Sequence, residues 1–393
     1  MFHLTITDGQ LKIKSRWQKH ILLLILILLM VVSSGCFRLV PKAPHEQMIA
    51  AAKKTSKLKE MSIKTEMSFQ IKSENQELAM FNQIFNNLSL AFGIGVDKNE
   101  IRSQLDFNIL YKGVNCGDLL LYMDREKIAV QSVFLGDKTL FYAWKDLETL
   151  IQKHFSFQVQ IPDYFPLLFE TKRKTRRQVE TAIYDIYTDF YADHLTANSE
   201  LVDITITEDQ QEKTIACKEL VLQMGREDLN IETSYLYLQA LLENEAVLSL
   251  FKEKITQFLA IAKKNGDLAT WPITEEEILA FRDNLDLFLP QLATKIITQQ
   301  QAKQAVLPSQ PQMDMIGKFR IDRQGYLRNM VINQVMQLST PEETEEPILF
   351  ELFMEANLKS PGQEVTFIDL NRGKLVDVGK LSATDWQVLG EEI

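Results

Sequence analysis

Polar and apolar residues alternate over several stretches of the chain, and this alternation is its strongest structural signal. Ile63, Thr65, Met67, Phe69 and Ile71 interleave with Lys64, Glu66, Ser68, Gln70 and Lys72. A period of two places each set on its own side of an extended strand with one buried face. An alanine- and lysine-rich stretch from Glu46 to about Met61 precedes it and predicts a helix. Residues 75–98 predict no clear element. Leu105, Phe107, Ile109 and Tyr111 then restore the alternation. Asn115-Cys116-Gly117 predicts a turn before a strand at Asp118–Met123. Asp124–Lys127 turns the chain into Ile128–Phe134, and Gly136-Asp137 leads to Thr139–Trp144. This is a meander of antiparallel strands on tight connections.

Helical periodicity dominates the middle of the chain. Asp146–His154 predicts a short helix, 155–161 a strand, 163–177 an irregular segment and 178–193 a helix. Strands at Leu201–Thr207 and Lys213–Met224 flank a polar turn at Glu208–Glu212. Residues 234–264 read as one long apolar helix ended by Asn265-Gly266. Thr274, with Glu277 three residues on, opens a further helix to about 298 that Pro290 bends or divides. Gln299–Gln312 is a polar connector. Strands return at Lys318–Asp322 and Leu327–Met336 around Gln324-Gly325, then at Ile348–Leu358 and Val365–Leu370. Strand meanders interrupted by apolar helices predict an α+β fold with helices laid across an antiparallel sheet, and regular βαβ alternation is absent.

The N-terminus follows a different logic. Lys12, Lys14, Arg16 and Lys19 stand against one acid, Asp8, ahead of an unbroken apolar run from Ile21 to Val32. That run is short for a span of about 20 residues and fits the apolar core of a secretion signal. Val32-Ser33-Ser34-Gly35-Cys36 resembles the lipobox at which bacterial lipoproteins are cleaved and lipidated, with Ser33 where leucine is usual. The resemblance implies a signal peptide over 1–35, a diacylglyceryl group on Cys36, a short tether over 36–44 and an α+β body over 45–393. Within the body, 45–177 and 178–393 are candidate sub-regions. The competing reading is an ordinary anchor helix with an incidental cysteine. Phe37 after the cysteine means that no aspartate retention signal is present. The expected location is the extracytoplasmic face of the cell membrane, or the outer membrane in a two-membrane host.

Removing 1–35 leaves 39 basic against 52 acidic residues, a net charge of −13. Such a body is repelled by an anionic bilayer, so lipid rather than charge is expected to hold it there. The same charge disfavours nucleic acid as a partner.

Three stretches resemble lipid-carrier lipoproteins of the LolA and LppX/LprG type: AAAKKTSKLKEMSIKTEMSFQI at 50–71, IACKELVLQMGREDLNIETSYLYLQALLENEAVLSLF at 215–251 and GKFRIDRQGYLRNMVI at 317–332. The resemblance implies a strongly curved antiparallel sheet cupping apolar helices on its concave face, and a lipid or other apolar ligand.

Catalytic signatures are missing. His45, His154 and His194 are dispersed without metal-ligand spacing, and no GxSxG, SxxK, P-loop or GxGxxG segment occurs. The expectation is a non-enzymatic protein without cofactor or metal. Two further features stand open. Cys116 and Cys217 either pair in an oxidising compartment or remain separate thiols in strands. Lys172, Arg173, Lys174, Arg176 and Arg177 form either a contact for lipid head groups or a wall polyanion, assisted by the apolar residues just upstream, or a solvated charge run. The leading functional expectation is lipid binding or carriage, and the alternative is a module that recognises another envelope protein.

Overall fold

The computed structural model describes residues 43–385, apart from 74–78, 156–157, 209–210, 230, 305–311, 339–346, 360, 371–372 and 383. The signal segment and Cys36 lie outside these residues. Helix α1 (Pro44–Thr55) leads into β1 (Glu60–Lys72), where the alternation of Ile63 to Ile71 begins. After α2 (Ala79–Phe85) come β2 (Leu88–Asp97), β3 (Arg102–Tyr111), β4 (Val114–Met123), β5 (Lys127–Gln131) and β6 (Lys138–Ala143). The meander is therefore present, with one strand more than the sequence pattern announced.

That strand is β2. Leu88, Leu90, Phe92, Ile94 and Val96 form one face, but Ala91, Gly93 and Gly95 occupy the other and blur the polar half of the alternation. The β3–β4 turn also differs from expectation. It falls at Lys112-Gly113, both with positive φ (52° and 77°), the left-handed pair that a tight two-residue hairpin needs. Asn115-Cys116-Gly117 instead lies inside β4, beside a register shift between Ile109 and Leu110.

A helical section separates β6 from the second half of the sheet. It contains α3 (Trp144–Phe155), α4 (Ile161–Tyr164), α5 (Pro166–Phe169) and α6 (Arg173–Tyr191). Residues 163–177 are thus mostly helical, and the segment expected as a strand at 155–161 ends α3 and begins α4. Strands β7 (Leu195–Glu208) and β8 (Gln211–Met224) follow. The long helix expected at 234–264 is two, α7 (Ile231–Glu243) and α8 (Glu245–Asn265), because the Asn244 side chain caps a new start by accepting from the Ala246 amide. Gly266, at φ 81°, closes α8 as expected. The capping box of Thr274 and Glu277 opens α9 (Glu275–Asp283), and α10 (Leu285–Gln304) follows. The division falls at Asn284, while Pro290 sits within the early turns of α10.

Strands β9 (Gln312–Asp322), β10 (Leu327–Leu338), β11 (Ile348–Leu358) and β12 (Lys374–Asp377) complete a curved, open sheet. Its order is β12-β6-β5-β4-β3-β2-β1-β11-β10-β9-β8-β7. Neighbours are antiparallel except β12, which runs parallel to β6. The best-sealed core lies toward the β7 edge, where Ala51 of α1 meets Leu195, Leu220, Leu222, Phe319 and Ile321. Helix α1 therefore packs on one face of the sheet.

Residues 361–370 cross the opposite face and make no strand, correcting the expectation for Val365–Leu370. Val365 packs where Gly95 leaves room, and Phe367 lies edge-on to Tyr122 and beneath the Arg102 guanidinium. Leu370 joins Tyr122 and Ala129 in a small cluster. The apolar residues of this segment bury themselves against the sheet surface instead of extending its edge.

Candidate functional site

Strand register brings the apolar residues of the meander into rows. One row runs Thr65, Phe92, Phe107, Leu119; the next runs Ile63, Ile94, Leu105, Leu121, Val130. Met67 continues the surface to Leu90 and Ile109 on one side and to Met354 on the other. These positions share the face on which Phe319 and Ile321 receive α1. In β1 to β4 this face carries no acidic or basic side chain.

The helices do not seal it. Among the residues of this face in β1–β4, Thr65 and Ile71 are buried, while Met67, Phe69, Leu90, Phe92, Ile94, Leu105 and Phe107 stay half-buried. Ile109 and Leu119 are exposed. In a filled core, leucines and phenylalanines are closed off from water. A contiguous apolar surface left open in this way marks an interaction site. It can hold apolar matter by desolvation, and its side chains offer no general base or charged nucleophile. Two surface clefts of about 450 and 640 Å³ lie elsewhere, the first beside Val133 and the second beside Arg323, both with mixed polar linings.

Over β8–β11 the other face is polar and tightly bonded. Arg320 donates to Glu219 (2.9 Å) and to Asn329 (2.9 Å). Asn329 in turn donates to Glu355 (2.7 Å) and Asn357 (2.8 Å). Glu219 and Asn329 are buried, so these groups satisfy one another across four adjacent strands. Over β8–β11 the opposite face is closed by hydrogen bonds, while over β1–β4 the first face is apolar and open.

The two cysteines do not pair. Cys116 is exposed on β4 and Cys217 is buried on β8, with six strands between them. Strands about 4.8 Å apart put them far beyond the Cα separation of about 4.4–6.8 Å that a disulfide spans. Burial, with the nearby Asp322 carboxylate, pushes the Cys217 thiol up to about 11.

Lys172, Arg173, Lys174, Arg176 and Arg177 are exposed around the first turn of α6. Cations at a helix N-terminus oppose its dipole, and Glu253 of α8 compensates. Its carboxylate accepts from the Lys172 amide (2.9 Å) and the Thr175 hydroxyl (2.5 Å). Burial alone would raise the Glu253 carboxyl, but these hydrogen bonds and the Lys172 and Lys254 charges hold it below its ordinary value. The upstream aromatic residues do not face outward with the cluster. Phe165 is buried against Trp144, and Tyr164 packs at a tilt against Phe258 and donates to Asp267 at 2.7 Å. Among the described residues, no group of His, Cys, Asp and Glu is placed to hold a metal ion, and no helix is long and apolar enough to cross a membrane.

No family model matches the chain, and no curated protein matches it. Among solved structures, a lipovitellin structure described by its lipid–protein interactions aligns over 80% of this chain and 26% of its own, at 8% identity and TM-score 0.21. A β-barrel-like protein of a domain of unknown function, DUF1849, from Brucella abortus aligns over 77% of this chain and 100% of its own, at 6% identity and TM-score 0.18. Neither score carries an argument about this chain; its own geometry has to do so.

Proposed function

We propose that this chain is a membrane-tethered extracytoplasmic lipoprotein that holds a lipid or other apolar ligand on the open sheet face beneath its helices. The observation that supports it is the row of half-buried residues from Phe92 and Phe107 to exposed Leu119, apolar and unsealed inside a layered fold. An acyl chain laid there removes ligand and protein surface from water together, worth about 0.8 kcal/mol per buried methylene. The lipobox-like Val32–Cys36 supports the tether.

Organic extraction and native mass spectrometry of the purified full chain test the ligand, with cis-parinaric acid fluorescence as the binding probe. We expect co-purified lipid and a saturable fluorescence rise that Phe92→Asp with Phe107→Asp weakens by at least about tenfold, since a buried carboxylate is costly to desolvate. A chain that is consistently empty and leaves the probe dark overturns the reading and leaves the face to a partner protein. Cys36→Ser tests the tether: a variant still cleaved and membrane-bound would refute it.

A further inference from the structure

Strand β8 runs past the neighbour that covers it. It pairs with β7 from Gln211 onward, but with β9 only from Cys217 to Met224. Residues 211–216 therefore present an edge with no strand beside it among the described residues. Successive residues of an antiparallel strand turn their N–H and C=O to opposite sides, so every second residue here aims its main-chain groups at the gap. At about 3.4 Å per residue, this edge is about 20 Å long. Unpaired groups of this kind are a template for a further strand.

The gap is a recess, the cleft of about 640 Å³ beside Arg323. The free end of β8 lines one side, the β9–β10 turn a second, and Pro361 and Gln363 a third. Walls on three sides obstruct the edge of another sheet and leave room for one extended chain. The lining carries Lys213, Arg323 and Arg328 against Asp203 and Asp322, a positive surplus in a chain of net charge −10. Asp322 is already engaged within the fold. One of its oxygens accepts from the Tyr326 amide (2.9 Å), and the other lies 3.6 Å from the Arg328 guanidinium. Arg328 and Asp322 are buried, so water screens charge beside them weakly. Lys213 and Arg323 are exposed. A carboxylate entering the cleft meets this surplus, with guanidinium forks that match its shape.

We propose that this cleft binds an extended peptide, which adds a short strand to β8 at 211–216 and sets a carboxylate against Arg323, Arg328 and Lys213. Main-chain hydrogen bonds to the strand edge supply affinity, and the carboxylate supplies selection. That carboxylate is either an acidic side chain or the C-terminus of the peptide; both present the same group to the same cations. The site stands apart from the open apolar face, since three strands lie between β1 and β8. It therefore requires neither a bound lipid nor the tether.

A synthetic hexapeptide library, prepared once with free and once with amidated C-termini, tests the site on the purified full chain. Bound peptides are identified by mass spectrometry, and the affinities of those selected are measured by calorimetry. Selection of Asp or Glu in both preparations assigns the carboxylate to a side chain, and selection confined to the free-acid library assigns it to the terminus. No selection, or selection of peptides without a carboxylate, overturns the proposal. Lys213→Glu with Arg323→Glu, both at exposed positions, is expected to weaken a selected peptide by at least about tenfold. Undiminished affinity in that variant overturns the proposal too. The strand geometry has its own signature, read on the unaltered protein with N-methylated copies of a selected peptide. Methylating one set of alternate amides should abolish binding, while the other set stays within about twofold, because only every second amide faces β8. Equal effects of the two sets would exclude strand addition.

Discussion

Replacing Glu253 with alanine should fray the start of α6. The carboxylate takes the Lys172 amide and the Thr175 hydroxyl, two donors at a helix terminus where the backbone has no partner of its own. Hydrogen bonds to a charged acceptor are worth about 1.5–3 kcal/mol when shielded. Glu253 is half-buried, so water recovers part of that loss. The range for losing a helix cap, about 0.5–2 kcal/mol, sets the expectation at about 1–2 kcal/mol. Hydrogen exchange read by mass spectrometry on peptides covering 170–180 measures it locally. That energy corresponds to about 5–30-fold faster exchange. Glu253→Gln, which keeps an acceptor oxygen, should fall between. The sign of the pH dependence is fixed as well. The folded carboxyl lies below its ordinary value, so its stabilisation is present above that value and is lost as pH falls through the folded one. The difference between the parent and Glu253→Ala should therefore close on acidification below about pH 4. Unchanged exchange at 170–180, or a difference that persists in acid, would refute this account of the basic cluster.

Two further outcomes follow from the sheet. Maleimide should label Cys116 in the native chain and Cys217 after denaturation, and non-reducing electrophoresis should show no compaction; protection of both thiols would contradict their placement. Asn329→Ala removes the buried residue that joins Arg320, Glu355 and Asn357, taking one hydrogen bond from each of these half-buried partners. It should cost about 2–4 kcal/mol in urea unfolding, and a loss below about 1 kcal/mol would mean that water or a neighbour replaces it.

Where a residue's neighbours in sequence also decide its environment, the sequence was informative. The Ile63–Ile71 alternation, the β9–β10 hairpin at Gln324-Gly325, the Gly266 cap and the Thr274 capping box all appear where the pattern put them. Strand β2 escaped notice because Ala91, Gly93 and Gly95 carry no polarity, and Gly95 leaves the room that Val365 takes from the other end of the chain. The 365–370 segment looked like a strand because Val365, Phe367, Ile368 and Leu370 make a short apolar run, yet they meet a sheet surface rather than a neighbouring edge. The basic cluster looked like an isolated charge run because Glu253, its counterpart, lies on another helix. The open face was the least legible feature. Leu105 and Phe107 read as one face of a strand, Phe92 fell in a segment without a clear element, and local sequence does not say whether helices close over them.

The pairing of β1 with β11 has a consequence for how the molecule is made. Ile63 stands opposite Leu358, so a pair near the middle of the sheet joins strands from nearly opposite ends of the chain. Contacts of such sequence separation form slowly, since a very long loop must close first. A chain threaded out of a cell N-terminus first can form the β1–β6 meander early, but β1 waits with a bare edge until the last fifth of the chain emerges. For that interval its apolar face is exposed on an incomplete sheet, a state open to aggregation and to proteases. The anchor we place on Cys36 would act first here: it holds the unfinished sheet at a membrane surface, where apolar strands have a lipid neighbour before they have a protein one.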